Sequence, residues 1–179
     1  IAVIGTAATF NMWEPNTFAE KAFDSISSIE TLAFGTKNTS YTVSGSKTIR
    51  LSSKVQSSGI ATIDASQSTG SGDDVLEVDA FQFSSRTDLI FIGSDDKDVN
   101  VKFTGGSGDD TLTTGKITED GSDTLTGGLG LDTFNIIASD EPTVVTDLGT
   151  GGSDTLVVTS SAKGVIATVK ENYRSPSLT

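Results

Sequence analysis

The chain contains no cysteine and no histidine. Disulfides are therefore excluded, and so are thiolate or imidazole sites for zinc, copper or haem. Ser-His-Asp, Cys-His and HExxH chemistries are excluded within these residues as well. Basic residues are scarce, with 12 Lys and Arg against 24 Asp and Glu and a formal charge of −12. That balance argues against nucleic acid or an anionic membrane as partner, since both need basic patches. No apolar run approaches the ~18 residues that cross a bilayer, so membrane insertion is not expected. The first residues, Ile1 to Ala8, are too short and lack a basic start for a signal peptide. Helical periodicity is nearly absent. Its best stretch is Pro15–Ser28, where Phe18, Ala22 and Ile26 recur at spacing four, and one short helix is expected there. Trp13, just before it, is read as an aromatic packed over the end of the domain.

What is present is aspartate and glycine. Of the acids 17 are Asp and 7 are Glu, and there are 19 Gly. Asp favours turns and is a hard oxygen ligand, whereas Glu favours helices. The bias points to turns and hard cations. The length of 179 residues suits one domain or two small ones, and the chain reads as a piece of a larger or processed protein.

From residue 29 the texture is short β runs broken by Gly, Ser, Asp and Asn, such as Ile29–Phe34, Leu76–Phe83, Leu89–Ile92, Val99–Phe103 and Thr155–Val158. The pattern Asp-x-apolar recurs at Asp88, Asp110, Asp132 and Asp154, each 22 residues after the last. Ile90, Val101, Leu112, Phe134, Val145 and Leu156 keep a step of 11, with one rung skipped. Asp123 stands at the skipped position, and Leu125 two residues later restores the register if two residues are inserted there. A step of 11 fits half a turn of a flattened solenoid, one strand and one bend. The fold expected is therefore all-β: a parallel β-solenoid, or β-roll, of about 22 residues per coil, with Thr ladders facing out. Residues 29–170 form it, with a core at 69–158. Residues 1–28 cap one end or finish a preceding domain, and 171–179 are a tail or linker.

Two segments fit G-G-x-G-x-D-x-U-x in full, Gly105–Thr113 and Gly127–Asn135. Three are partial: Thr69–Glu77, Thr118–Thr126 and Gly149–Val157. Glycine at the bend permits positive φ, which turns backbone carbonyls inward. The sixth-position Asp aims its carboxylate at the same place. Stacked coils bring such carboxylates near the ~4.8 Å strand spacing, where two repel by roughly 3 kcal/mol at an effective dielectric of 20. Ca²⁺ reverses that sign and accepts six to eight oxygens, so binding and folding should be coupled. Asp96-Lys97-Asp98-Val99-Asn100 looks like the start of an EF-hand loop. The required Gly and the twelfth-position Glu are missing, so an alternating strand explains it better.

With these repeats the chain resembles the RTX (repeats-in-toxin) family, and is most similar to repeat regions of bacterial S-layer proteins and large RTX adhesins. Segments such as SSIETLAF, LTGGLGLDTFNI and VTDLGTGGSDTLVV carry the likeness. The resemblance implies export by a type I system, folding on extracellular calcium and a surface location. Only one edge repeats the full motif at 22-residue spacing, so a single short column of roughly two to four Ca²⁺ ions is expected rather than two full columns. The ligand set that the resemblance implies is Asp73, Asp74, Gly106, Gly108, Asp109, Asp110, Asp123, Gly128, Gly130, Asp132, Gly152 and Asp154. Asp88 has the register but no glycines around it, and is expected to be structural. The half-turn departs from the family's nine residues.

The function expected is an extracellular structural or adhesive module that is no enzyme. Its partners would be calcium, further copies of itself in a lattice or filament, or cell-surface polysaccharide. The alternative is the C-terminal repeat domain of a type I-secreted protease, lipase or polysaccharide epimerase whose catalytic domain lies elsewhere. A solenoid acting on polysaccharide itself, through Asp79, Arg86 and Asp88, is the weakest reading, because no spacing demands it.

Overall fold

Strands alternate between two sheets that face one another. The computed structural model describes residues 8–12, 28–36, 39–84, 87–116, 122–139, 141–162 and 164–170. Trp13, the helix expected over Pro15–Ser28 (save Ser28 itself), Arg86 and the tail 171–179 lie outside them. The first sheet stacks β1 (Ala8–Met12), β2 (Ile29–Thr36), β5 (Thr62–Asp64), β8 (Ile90–Ile92), β10 (Thr111–Thr113), β12 (Thr133–Ser139) and β14 (Thr155–Ala162), all parallel. The second stacks β4 (Ser46–Arg50), β7 (Asp74–Asp79), β9 (Val99–Thr104), β11 (Thr124–Thr126), β13 (Thr143–Leu148) and β15 (Val165–Val169), also parallel. A short hairpin departs from this rule. β3 (Thr39–Thr42) runs antiparallel to β2 and then pairs in parallel with β6 (Ser68–Thr69). The result is a parallel β-solenoid of about five turns.

The coil length is uneven. Leu32, Ile63, Phe91, Leu112, Phe134 and Leu156 pair in succession, in steps of 31, 28, 21, 22 and 22 residues. The expected 22-residue coil thus holds in the C-terminal part, and the N-terminal coils are longer. In the 31-residue coil the extra residues go into the β3 hairpin and into a single helical turn, α1 (Ser53–Ser57). Ser52 caps α1, its hydroxyl accepting the Lys54 N–H at 3.2 Å. Sequence periodicity cannot find a helix of five residues with one buried side chain, Val55.

Two rungs differ from the expected series. Ile90 was expected inside, but Phe91 pairs with Leu112 and is fully buried, while Ile90 faces out at 46% exposure. The coil between them is one residue short of 22, and a one-residue slip turns every side chain to the other face. On the second sheet Phe103, Leu125 and Val145 are aligned, so Leu125 takes the skipped rung. All three are essentially buried.

Inward positions alternate with outward ones, as in β7, where Asp74, Leu76 and Val78 are buried and Val75, Glu77 and Asp79 are partly exposed. The Phe91 and Phe103 rings, from opposite sheets, meet at a centroid distance of 4.8 Å. Each such buried Leu or Phe contributes about 1.5–3 kcal/mol by leaving water. Outward threonines form ladders, Thr111–Thr133–Thr155 on the first sheet, and on the second Thr126 and Thr146, whose hydroxyls bond at 2.7 Å.

Candidate metal centre

Five of the candidate aspartates occupy one structural niche. Asp74 opens β7, and Asp110, Asp123, Asp132 and Asp154 each immediately precede a strand, β10, β11, β12 and β14. All five are buried. Each turns one oxygen back to the coil before it. Oδ1 accepts from Gly45 N–H in Asp74 (2.6 Å), from Leu89 in Asp110 (2.8 Å) and from Val101 in Asp123 (3.0 Å). It accepts from Asp110 N–H in Asp132 (2.9 Å) and from Asp132 N–H in Asp154 (3.0 Å). A parallel bend leaves one N–H of each coil without a strand partner, and a short side-chain acceptor one coil later supplies it.

The niche repeats on both edges of the solenoid. Asp110, Asp132 and Asp154 lie where the chain passes from the second sheet to the first, and they form one column linked by the bonds just described. Asp74 and Asp123 lie where it passes from the first sheet to the second. The two full repeats and the Gly149–Val157 repeat therefore stack on one edge. The partial repeats that begin at Thr69 and Thr118 sit on the other, so Asp74 and Asp123 cannot join the column. Residues 117–121 lie outside the described residues.

Within the column the second oxygens differ. Asp110 Oδ2 accepts Gly106 N–H at 2.9 Å, and Asp154 Oδ2 accepts Gly149 N–H at 2.5 Å. The corresponding amides of the middle coil, Gly127 and Gly128, donate instead to Asp147 at 3.0 and 2.8 Å. Asp132 Oδ2 is consequently buried with no hydrogen-bond partner, as is Asp123 Oδ2 on the other edge. An unpaired buried acceptor costs about 1–3 kcal/mol, and more when charged.

Burial pushes the Asp110 carboxyl up to about 6, against two backbone N–H bonds that favour its charge. Burial also pushes Asp132 up to about 7, with Asp110, Asp154 and Asp147 adding like-charge repulsion. Asp154 is raised by burial and by Asp147, and burial raises Asp123 to about 7. The three-carboxylate column, with Asp147 beside it, thus resists carrying its full charge at neutral pH.

The glycines act less by φ than by absence of Cβ. Gly128 and Gly130 have φ of +105° and +136°, whereas Gly106, Gly108 and Gly152 are not in the left-handed region. A Cβ on Gly128 would strike the Gly106 carbonyl, one on Gly130 the Gly108 carbonyl, and one on Gly152 the Gly130 carbonyl. The turns stack in backbone contact. The carbonyl expected to turn inward at Gly106 accepts Leu129 N–H of the next coil at 3.0 Å.

Asp73 and Asp109 are exposed. Asp109 belongs to an outer ladder: its N–H donates to Asp88 at 2.9 Å, and its own Oδ1 accepts Leu131 N–H at 2.8 Å. Asp88, expected to be structural, is the acceptor at the start of this ladder. Asp147 was missed by the sequence reading because it lies at a strand end, outside the nonapeptide. Its register opposite Gly127 is the signal that marks it. Among the described residues no group of three or more acidic side chains converges on a single point. The oxygens are laid out along the column instead.

Comparison with known proteins adds no relative. No family model, no curated protein and no solved structure matches the chain.

Proposed function

We propose that the chain is a calcium-dependent structural or adhesive module that works outside a bacterial cell, in a surface layer, filament or adhesin. The observation that carries this reading is Asp132 Oδ2: a buried, unpartnered carboxylate oxygen with Asp110, Asp147 and Asp154 as charged neighbours. Such an atom calls for a proton or a cation. The donor set is all oxygen, which suits Ca²⁺ and not a soft metal. Asp132 would hold the ion through its free Oδ2, with Asp110, Asp147 and Asp154 lending negative charge along the column rather than closing a ligand shell around one point. The cation would supply the positive charge that the stacked carboxylates lack. The protein's own residues do the rest: the Asp ladder ties each coil to the next, and the glycines let the turns close on one another.

A stiff solenoid that needs calcium to settle one edge is a spacer that sets only where calcium is abundant. That fits a role outside the cell and leaves chemistry to other domains. The test is a thermal melt of the EGTA-stripped chain, followed by circular dichroism, with CaCl₂ and then MgCl₂ added back. Calcium is expected to raise the midpoint and magnesium to do much less. A midpoint indifferent to calcium would remove the metal from the reading.

A further inference from the structure

One coil before the first full repeat, the same edge of the solenoid carries a groove of about 660 Å³, within the ~300–1,000 Å³ of small-ligand sites. Its wall includes Thr48, Arg50, Ser52, Asp79, Phe81 and Gln82. Phe81 is the anomaly. Phe34, Phe83, Phe91, Phe103 and Phe134 are at most 1% exposed, and Phe81 is 75% exposed.

Its position is built. Phe83 N–H donates to the Ala80 carbonyl at 2.8 Å, closing a turn with Phe81 and Gln82 at its tip. Asp79 Oδ1 accepts Phe81 N–H at 2.9 Å. From α1, Gln56 clasps the following residue, its Nε2 donating to Ser84 Oγ at 2.8 Å and its Oε1 accepting Ser84 N–H at 3.2 Å. Below, the turn rests on Gly106, where a Cβ would meet the Phe83 carbonyl at 2.8 Å. The turn that carries this ring is thus fixed by hydrogen bonds at Asp79, Ala80 and Ser84, and the ring itself stands in water.

Beside it, Arg50 Nε stands 3.8 Å from Asp79 Oδ2, with the Arg side chain 81% exposed. That distance is too long for a hydrogen bond, so the guanidinium N–H groups and the carboxylate oxygen remain open to a ligand. A flat apolar face next to a cation–anion pair, an amide and hydroxyls matches a pyranose ring, with C–H bonds on its faces and hydroxyls at its rim. The charge points to a neutral sugar. Asp79 answers Arg50, and Glu77, bonded to the Thr48 hydroxyl at 2.8 Å, leaves the surroundings acidic.

We propose that this groove binds a neutral glycan, one pyranose stacking on Phe81 while its hydroxyls bond to Arg50 and Asp79. The site deepens the adhesive reading above and rests on it for the encounter with a surface glycan. The test is isothermal titration of the chain, in calcium, with cellohexaose, maltohexaose and mannohexaose, and with oligogalacturonate as the anionic probe. At least one neutral hexasaccharide is expected to bind, and Phe81→Ala and Arg50→Gln are each expected to weaken it about tenfold or more. Both side chains are exposed, so both variants should keep the parent's melting midpoint and calcium response. Failure of all neutral probes, undiminished binding by Phe81→Ala, or tighter binding of oligogalacturonate would overturn the proposal. Loss of the calcium response with glycan binding intact would count against the metal alone.

Discussion

The backbone N–H of Asp110 donates to the Asp132 carboxylate at 2.9 Å, across one coil of 22 residues. Asp132 therefore does two things at once. Its Oδ1 caps a buried amide, and its Oδ2 adds an unpaired charge. Substitutions separate the two. Asp132→Asn keeps the acceptor and removes the charge. In EGTA its melting midpoint is expected to exceed the parent's by about 2–4 °C, from on the order of 1 kcal/mol of relieved charge burial once solvent screening is allowed for. Asp132→Ala also leaves Asp110 N–H unpaired, and should melt below Asp132→Asn by about 1–3 kcal/mol. Calcium should raise the parent's midpoint and do little for either variant. An Asn variant less stable than the parent in EGTA would mean that the free oxygen carries no strain.

The same carboxylates set a pH dependence with an unusual sign. Asp110 at about 6, and Asp123 and Asp132 at about 7, are raised above the unfolded value near 3.8. The folded state binds more protons than the unfolded one between these limits. Stability is then fully present below about pH 4 as far as these groups are concerned, and is lost as pH rises through 6 to 7. In EGTA the midpoint is expected to be higher at pH 5 than at pH 8. Saturating calcium should flatten or reverse the trend, because a bound cation favours the charged form. Chemical denaturation at both pH values, with and without calcium, checks this.

Glycine positions divide by what lies above them. Gly72 has φ +91° and open space where a Cβ would go, so Gly72→Ala is expected to cost only the left-handed backbone, about 1–2 kcal/mol. Gly128 has φ +105° and a Cβ there would strike the Gly106 carbonyl, which already accepts Leu129 N–H. Gly128→Ala must push two coils apart and should cost about 3 kcal/mol or more. Urea denaturation of the two variants gives the comparison.

Much of this was legible in the sequence because a solenoid writes its period into the chain. The Asp-Thr-apolar triplets at 110, 132 and 154 fall on successive strands as the 22-residue spacing requires. The period failed where a coil differs by one residue, as at Ile90 and Phe91, since a strand's side chains alternate and one residue reverses the face. The step of 11 already set Asp123 half a coil from Asp132, and the strand pairing puts the two on opposite edges. Long-range partners such as Asp147 for Gly127 and Gly128 lie 20 and 19 residues away and carry no local signal. The Phe81 turn looked like the continuation of a strand from Leu76, because nothing in apolar alternation distinguishes a ring turned inward from one held out.

The last described coil sets apart what burial and position contribute. Ile136 and Val158 are paired on successive coils and point the same way. Ile136 is fully buried, while Val158 is 47% exposed, because β14 has a neighbour on one side only among the described residues. Leu148 and Val169 repeat the contrast on the second sheet, at 1% and 54%. Ile136→Ala is therefore expected to cost about 2–5 kcal/mol, whereas Val158→Ala should cost less than about 1. A parallel edge that is open among the described residues and carries interior-type side chains is also a surface on which strands of another molecule can pair. Val158→Lys puts a charge on that edge without touching the buried core. It should leave the melting midpoint within a degree or two of the parent, and lower the apparent mass in sedimentation at high protein concentration. If the midpoint drops as far as in Ile136→Ala, something covers Val158 in solution and the edge is closed. An unchanged midpoint with unchanged mass would mean that the edge stays open and yet recruits no second copy.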